Sequence, residues 1–473
     1  MSKQSECLVR KLNILHYALG FPPYRTGGLT KFCVDLMNEQ TREGHKVSLL
    51  WPGRMISIHK NTFIKRHRDY GEIGNYEVYN PTPISYDEGI VDIELFMECG
   101  DKQTYIKLLS DLKVDVLHVH TLMGLHKGLL EAAKELGVRM VFTTHDFFPI
   151  CPKVTMYRNG EICNCIENCE KCPECNLTAL SVSEIKVLQS LTYRVLKDSS
   201  VVKKIRKNHR DSYLSEEIVE DGDIKNAVRS KEDYSILRKF YSSLLEYMDV
   251  IHYNSTITKQ IYEKYLTLEK PRAEVISISH SDIRDNRKVK CFERKEDNEL
   301  RLTYLGPAGG AKGYFELKEA LDELWKDIKN GDKFDWNTFS LQLFFEPREL
   351  SPYMKKGDRY SYDQLEEIFD RTDVLIVPSI WYETFGYTVL EALSFGVPVI
   401  LSGTVGAKDI LTEGIGIVIK DINSDKIVNT IKYLTKADCK EMNEKILLID
   451  KIWTLSDMCK LINKKCYNYS END

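Results

Sequence analysis

The stretch Val374-Leu375-Ile376-Val377-Pro378, which continues through Ser379-Ile380 into Trp381-Tyr382-Glu383-Thr384-Phe385-Gly386-Tyr387-Thr388-Val389-Leu390-Glu391-Ala392, decides the fold. Its first five residues are a branched apolar run stopped by proline, the pattern of a short buried strand. Val389, Leu390, Ala392 and Leu393 then share one face of a helix that must end before Gly396 and Pro398. Val397 to Leu401 supplies the next strand. Strand, helix and strand in this order make a parallel βαβ unit. Glu383 therefore falls in the loop at the carboxyl end of a strand, Phe385 to Thr388 span a helix entry, and Glu391 is expected in the first helical turn.

Open parallel sheets bind ligands at the carboxyl ends of their strands. The free amides of a first helical turn suit a diphosphate, and acceptor-only carboxylates beside them suit the hydroxyls of a sugar and a ribose. Glutamates at 383 and 391 also fit a blander account: a solvated loop residue, and a carboxylate drawn to the positive end of its helix.

The wider run DVLIVPSIWYETFGYTVLEALSFGVPVI resembles the donor-site signature of the family-4 retaining glycosyltransferases. The two glutamates, Phe385-Gly386 between them and Gly396-Val397-Pro398-Val399 after them all fall in register. The resemblance implies the GT-B fold: an α/β protein with two Rossmann-like, doubly wound domains facing across a cleft. It also implies retaining transfer of a hexose-type sugar from a nucleoside diphosphate sugar (UDP or GDP type) to a hydroxyl of a saccharide or lipid-linked acceptor, as in polysaccharide or glycolipid assembly. In that reading Glu383 holds the donor sugar and Glu391 the ribose diol, Phe385, Gly386, Tyr387 and Thr388 line the donor, and no cofactor is required for catalysis.

A chain of 473 residues is too long for one core and implies two domains. Its 29% charged and 42% hydrophobic residues are those of an ordinary soluble protein. A net charge of -5 excludes a generally basic nucleic-acid binder. No apolar run nears the roughly 20 residues that span a bilayer, and Met1 to Arg10 lacks an apolar signal core. The expectation is a cytoplasmic protein that could meet the inner face of a membrane only from its surface.

In the first half, Leu12 to Tyr17 reads as a strand, and Gly27-Gly28 precedes a helix through Leu29, Phe32, Cys33, Leu36 and Met37. Most glycine pairs are turns, but the resemblance assigns Gly27 and Gly28 to the donor diphosphate and acceptor. Val116 to His120 and Met140 to Thr144 are further strands, with His145-Asp146 at the end of the second. His145 is either a structural histidine or, as the resemblance favours, a donor-sugar contact.

Six cysteines follow, Cys151, Cys163, Cys165, Cys169, Cys172 and Cys175. Cys-x-x-Cys pairs are the usual spacing of thiolate zinc sites. A structural zinc on Cys151, Cys163, Cys169 and Cys172, with Cys165 and Cys175 as alternatives, stands beside the reading of reduced loop thiols. Residues 177–248 read as an inserted, charged helical arm, with an apolar stripe of Leu188, Leu191 and Val195. A basic run of Lys203, Lys204, Arg206, Lys207 and Arg210 is either solvated or a surface for an anionic lipid-linked acceptor or a membrane face.

These patterns divide the chain into a first domain over 1–280, a linker over 281–298, a nucleotide-sugar domain over 299–445, and a C-terminal helix over 446–473 that crosses back. The second domain opens with Arg301 to Leu305, Gly306, and Lys312-Gly313 ahead of a helix, which places Lys312 to neutralise a diphosphate. Pro307 stands where the family has an arginine. That departure leaves open a non-catalytic nucleotide-sugar-binding partner, and a nucleotide-sugar epimerase of the same fold stands as a second rival. Asp409 and Ser402-Gly403-Thr404 are placed near the donor by their strand-end loop.

Overall fold

The computed structural model of the protein describes residues 10–56, 61–85, 89–158, 160–164, 169–197, 199–200, 202, 229–292 and 298–467. The basic run at 203–210 and Cys165 lie outside these. The strands of the first half are β1 (Asn13–Tyr17), β2 (Lys46–Pro52), β3 (Phe63–Arg66), β4 (Gly74–Tyr79), β5 (Val116–Val119) and β6 (Arg139–Thr144). A two-residue hairpin, β7 (Tyr157–Arg158) and β8 (Glu161–Ile162), precedes β9 (Val250–Tyr253) and β10 (Arg272–Val275). The second half adds β11 (Glu299–Thr303), β12 (Thr338–Leu343), β13 (Met354–Lys356), β14 (Val374–Val377), β15 (Val399–Ser402) and β16 (Gly416–Ile419).

Two sheets result. The first runs β10-β9-β6-β5-β1-β2-β4-β3, parallel except for the β3–β4 pair. The second runs β13-β12-β11-β14-β15-β16 and is parallel throughout. Each is a doubly wound Rossmann-like sheet, whose strand order reverses at one point. The reversals lie between β1 and β5 in the first and between β11 and β14 in the second. Continuous apolar sequence explains why these strands sit inside: every residue of β5, β6, β14 and β15 is buried.

The polypeptide returns at its end. A helix over Lys436–Leu447 stops, and a separate one over Leu455–Ile462 continues into a wider turn, Asn463–Tyr467. The tail is thus two helices, because Thr454 caps the second by accepting from Asp457 N while its own side chain and N–H engage the Asp457 carboxylate. The last segment lies against the first domain: Arg139 Nε donates to Cys466 O at 2.7 Å, and Asn463 Nδ2 to Glu43 Oε2 at 2.7 Å.

The arm departs from the single apolar stripe. One helix spans Val182–Leu188, Ser190 caps a second over Leu191–Leu196, and Leu191 and Val195 are 51% and 72% exposed. The break at Ser190 rotates the three residues off a common face. Among the described residues no helix is long and apolar enough to cross a membrane.

Candidate active site

Both sheets turn the ends of their reversal-point strands toward each other, and most of the residues singled out above collect there. Lys312 lies in a 3-10 turn over Gly310–Lys312, after β11. That turn is pinned to the loop after β14, since Ala311 O accepts from Ile380 N at 3.0 Å and Trp381 N at 3.2 Å. Gly313 is required between them. It sits at φ 70°, and a Cβ there would lie 1.8 Å from Pro378 O.

Docking the two loops brings Lys312 Nζ within 2.7 Å of Glu383 Oε1, while Ser379 Oγ donates to Glu383 Oε2 at 2.7 Å. Burial alone would raise the Glu383 pKa, but the ammonium and the hydroxyl outweigh it and hold the carboxyl below its usual range. Trp381 stacks against the same ammonium, 5.0 Å from its ring centre.

The helix after this loop spans Tyr387–Ser394, and Gly386 at φ 104° is its N-cap. Glu391 is its fifth residue and so lies beyond the first turn. The amides of Gly386, Tyr387 and Thr388 have no hydrogen-bond partner among the described residues. Phe385 is buried and its carbonyl accepts from Ala407 N at 2.7 Å, which fixes the entry angle. Three aligned free donors at a helix start form an anion seat.

Glu391 faces a second group. Its Oε1 pairs with His280 Nε2 at 3.1 Å, and Tyr387 stands edge-on to His280 with ring centres 5.0 Å apart. Gly28 closes this side, because a Cβ there would meet the Tyr387 ring at 3.7 Å. Gly27, at φ 115°, has open space around it. The Tyr387 hydroxyl and the Trp381 indole N–H are buried and have no hydrogen-bond partner among the described residues.

His145 joins from the first domain. Its carbonyl accepts from Thr384 Oγ1 at 3.2 Å, next to Glu383. The Thr384 carbonyl in turn accepts from Ser255 Oγ at 2.7 Å, so the glutamate loop is clamped to the first domain. Asp409, expected near the donor, belongs to this clamp: it accepts from Thr256 Oγ1 at 2.6 Å and from Thr256 N at the start of a first-domain helix. No hydrogen bond joins Glu383 to Glu391 among the described residues.

Four buried histidines stand behind the half-buried His145, and sequence reading missed their connection. His120 Nδ1 lies 3.3 Å from His145 Nε2, His16 Nδ1 2.9 Å from His120 Nε2, and Gln40 Oε1 2.8 Å from His16 Nε2. His118 bonds Thr143 and the Tyr467 hydroxyl, and His252 bonds the other side of Thr143. The alternation His118-Val-His120 on a strand was the available signal, since period two puts both on one face. Burial pushes His145 down to about 3 and His16 and His252 to about 4, so all three are neutral. Ring nitrogens of His16, His118 and His120 lie within 4.8 Å of one another, but they already bond to each other or to neighbours.

Two such sheets with nucleotide-type reversal points facing each other are the GT-B arrangement of glycosyltransferases. The description "Glycosyltransferase Family 4" matches residues 26–162, and "Glycosyl transferases group 1" matches residues 340–446, so the two matches fall one on each domain. A Klebsiella pneumoniae protein described as an uncharacterized 42.6 kDa protein in the cps region is 22% identical over 84% of this chain and 84% of its own length. Among solved structures, a UDP-forming α,α-trehalose-phosphate synthase from Burkholderia xenovorans, in complex with glucose-6-phosphate, superposes with a TM-score of 0.53 at 12% identity, covering 96% of this chain and all of that one. HepE from Anabaena, in complex with UDP and glucose, gives 0.50 at 12% identity over 96% and 98%. The chain belongs to the family-4, group 1 glycosyltransferases.

Proposed function

We propose that this glycosyltransferase moves a hexose-type sugar from a nucleoside diphosphate sugar, of the UDP or GDP type, to an acceptor hydroxyl with retention at the anomeric carbon. A saccharide or lipid-linked acceptor, in polysaccharide or glycolipid assembly, fits the family. The observation that carries the reading is the set of free amides at Gly386 to Thr388 beside the Lys312–Glu383 pair, at the reversal point of the second sheet. The UDP held by the Anabaena neighbour supports a uridine donor by analogy of fold.

As the bond to the sugar breaks, negative charge gathers on the diphosphate and the sugar becomes cation-like. Lys312 and the three amides, once seated on the bound diphosphate, meet that charge without further movement, which is where preorganised donors act most strongly. Binding of the diphosphate draws Lys312 partly from Glu383 and frees Oε1 for a donor-sugar hydroxyl. Glu391 offers Oε2 to the ribose diol while His280 holds Oε1. Neutral His145 covers the sugar from the other domain, with the His120 contact fixing its ring. Retention without a carboxylate base requires the departing phosphate oxygen to take the acceptor proton.

A thermal-shift comparison of UDP, GDP and ADP, with their sugars, identifies the base. Donor turnover that depends on acceptor, with product keeping the donor's anomeric configuration by NMR, supports the reading. Altered or free sugar from donor alone points to the epimerase, and tight binding without turnover to a non-catalytic partner.

A further inference from the structure

We propose that Cys151, Cys163, Cys172 and Cys175 form a tetrathiolate site for one zinc ion, which fastens the loop following His145 to the β7–β8 hairpin and the Cys172–Cys175 turn. All four thiols line a single cavity of about 20 Å³. They reach it from three different pieces of chain. Cys151 ends a turn in which its N–H bonds Phe147 O at 2.8 Å. Cys163 follows the β7–β8 hairpin directly, its N–H donating to Met156 O at 2.8 Å. Cys172 and Cys175 begin and end a single helical turn, Cys172–Cys175. A hairpin thiol beside a Cys-x-x-Cys turn is a common framework of structural zinc.

The ligand set differs from the one sequence spacing suggested. Cys169 is buried against Cys172 and Arg238 without lining the cavity, whereas Cys175, held as an alternative, lines it. The four lining thiols are each partly exposed, unlike Cys33, Cys439, Cys459 and Cys466, which are buried as small core side chains.

Charge points the same way. Among the described residues Lys153, Arg158, Lys171 and Arg238 line the cavity and no carboxylate does, with Arg158 also paired to Glu174 at 2.6 Å. Four thiolates around a divalent ion leave two net negative charges, which these cations balance. Arg238, from the arm helix Lys231–Leu245, approaches Cys172 Sγ at 3.9 Å and donates to Ile150 O at 2.9 Å. Sulfur ligands without oxygen donors select zinc over calcium or magnesium.

Among the described residues no three of these sulfurs stand within 4.8 Å of one another. Zinc–sulfur bonds of about 2.3 Å set the edges of the tetrahedron near 3.8 Å. Loading therefore draws the side chains inward as the thiols give up their protons. The gain is local order: Phe147, four residues before Cys151, packs against Tyr382 in the glutamate loop.

The test uses the full chain, expressed with added zinc and purified reduced. Mass spectrometry of metals is expected to find about one zinc per chain, released by a mercurial that titrates thiols. Exchange with Co2+ is expected to give the visible absorption of a tetrahedral tetrathiolate. Cys163→Ser and Cys175→Ser should each lower bound zinc at least about fivefold, and Cys169→Ser should retain it. Because losing the ion can also loosen the fold, the wild-type measurements stand by themselves. Less than about 0.2 zinc per chain with no cobalt spectrum, disulfides among these cysteines, or zinc unchanged in Cys163→Ser would overturn the site.

Discussion

Lys312 Nζ and Glu383 Oε1 lie 2.7 Å apart, at the ends of the two strands where the second sheet reverses its order. The pair gives each residue a separable role. In Glu383→Ala the amides and the ammonium remain, so binding of the nucleoside diphosphate should change by less than about threefold while kcat falls about 10²-fold or more. Lys312→Ala should lower both, because the diphosphate loses its cation in the ground state and more in the transition state. Calorimetry with UDP or GDP, alongside kcat, separates the two, and equal losses in the two variants would refute the division.

Tyr387 presents a buried hydroxyl with no hydrogen-bond partner among the described residues. Removing an unsatisfied polar atom costs nothing and usually helps. Tyr387→Phe should therefore melt no lower than the wild type, and up to about 1 kcal/mol more stable by denaturant unfolding. If the hydroxyl bonds the donor, the same variant should bind it about five- to tenfold more weakly. A stability loss above about 1 kcal/mol would show that the hydroxyl has a partner in the folded protein.

Much of this site was legible in the sequence because local pattern and function coincide there. The apolar run at 374–377, the proline and the helix face put Glu383, Phe385 and Gly386 where they stand, and Lys312 follows from its glycine turn. What failed is what depends on distant chain. Glu391 sits beyond the first turn because Gly386, not a residue further on, caps the helix. Asp409 caps a helix of the other domain, a partner that no spacing within 402–409 reveals. The histidine chain joins β1, β5, β6 and β9 to Tyr467, and only its two-residue alternation on β5 was local. The break at Ser190 was readable as a cap, but the apolar residues around it suggested one stripe.

Gly313 tests the loop docking. A methyl group there meets Pro378 O at 1.8 Å, and the position has φ 70°. Gly313→Ala should therefore cost more than about 2 kcal/mol, since backbone on both sides must shift, and should carry Lys312 away from Glu383. Gly331→Ala is the control: it shares a positive φ of 97° but has nothing within 4 Å among the described residues, so its cost should stay near 1 kcal/mol. Denaturant unfolding of both variants checks the difference, and equal costs would mean that the loop contact is loose.

The buried histidines set how the protein responds to acid. His16, His145 and His252 are neutral in the folded chain, with burial lowering them to about 4, 3 and 4, whereas the unfolded chain titrates near 6.5. A depressed folded value means that the unfolded state binds more protons once the pH drops below 6.5. Their contribution is thus fully present above that pH and is lost progressively as the pH falls from about 6.5 toward 4, at roughly 1.4 kcal/mol per pH unit for each histidine that stays neutral. Unfolding free energy measured from pH 7.5 to 5 should be level at first and then fall steeply, before most carboxylates titrate. His252→Asn, which keeps a hydrogen-bonding side chain between Thr143 and Ile276 O, should reduce the slope by about one proton. A stability profile flat through pH 5.5 would mean that these rings accept protons where they sit.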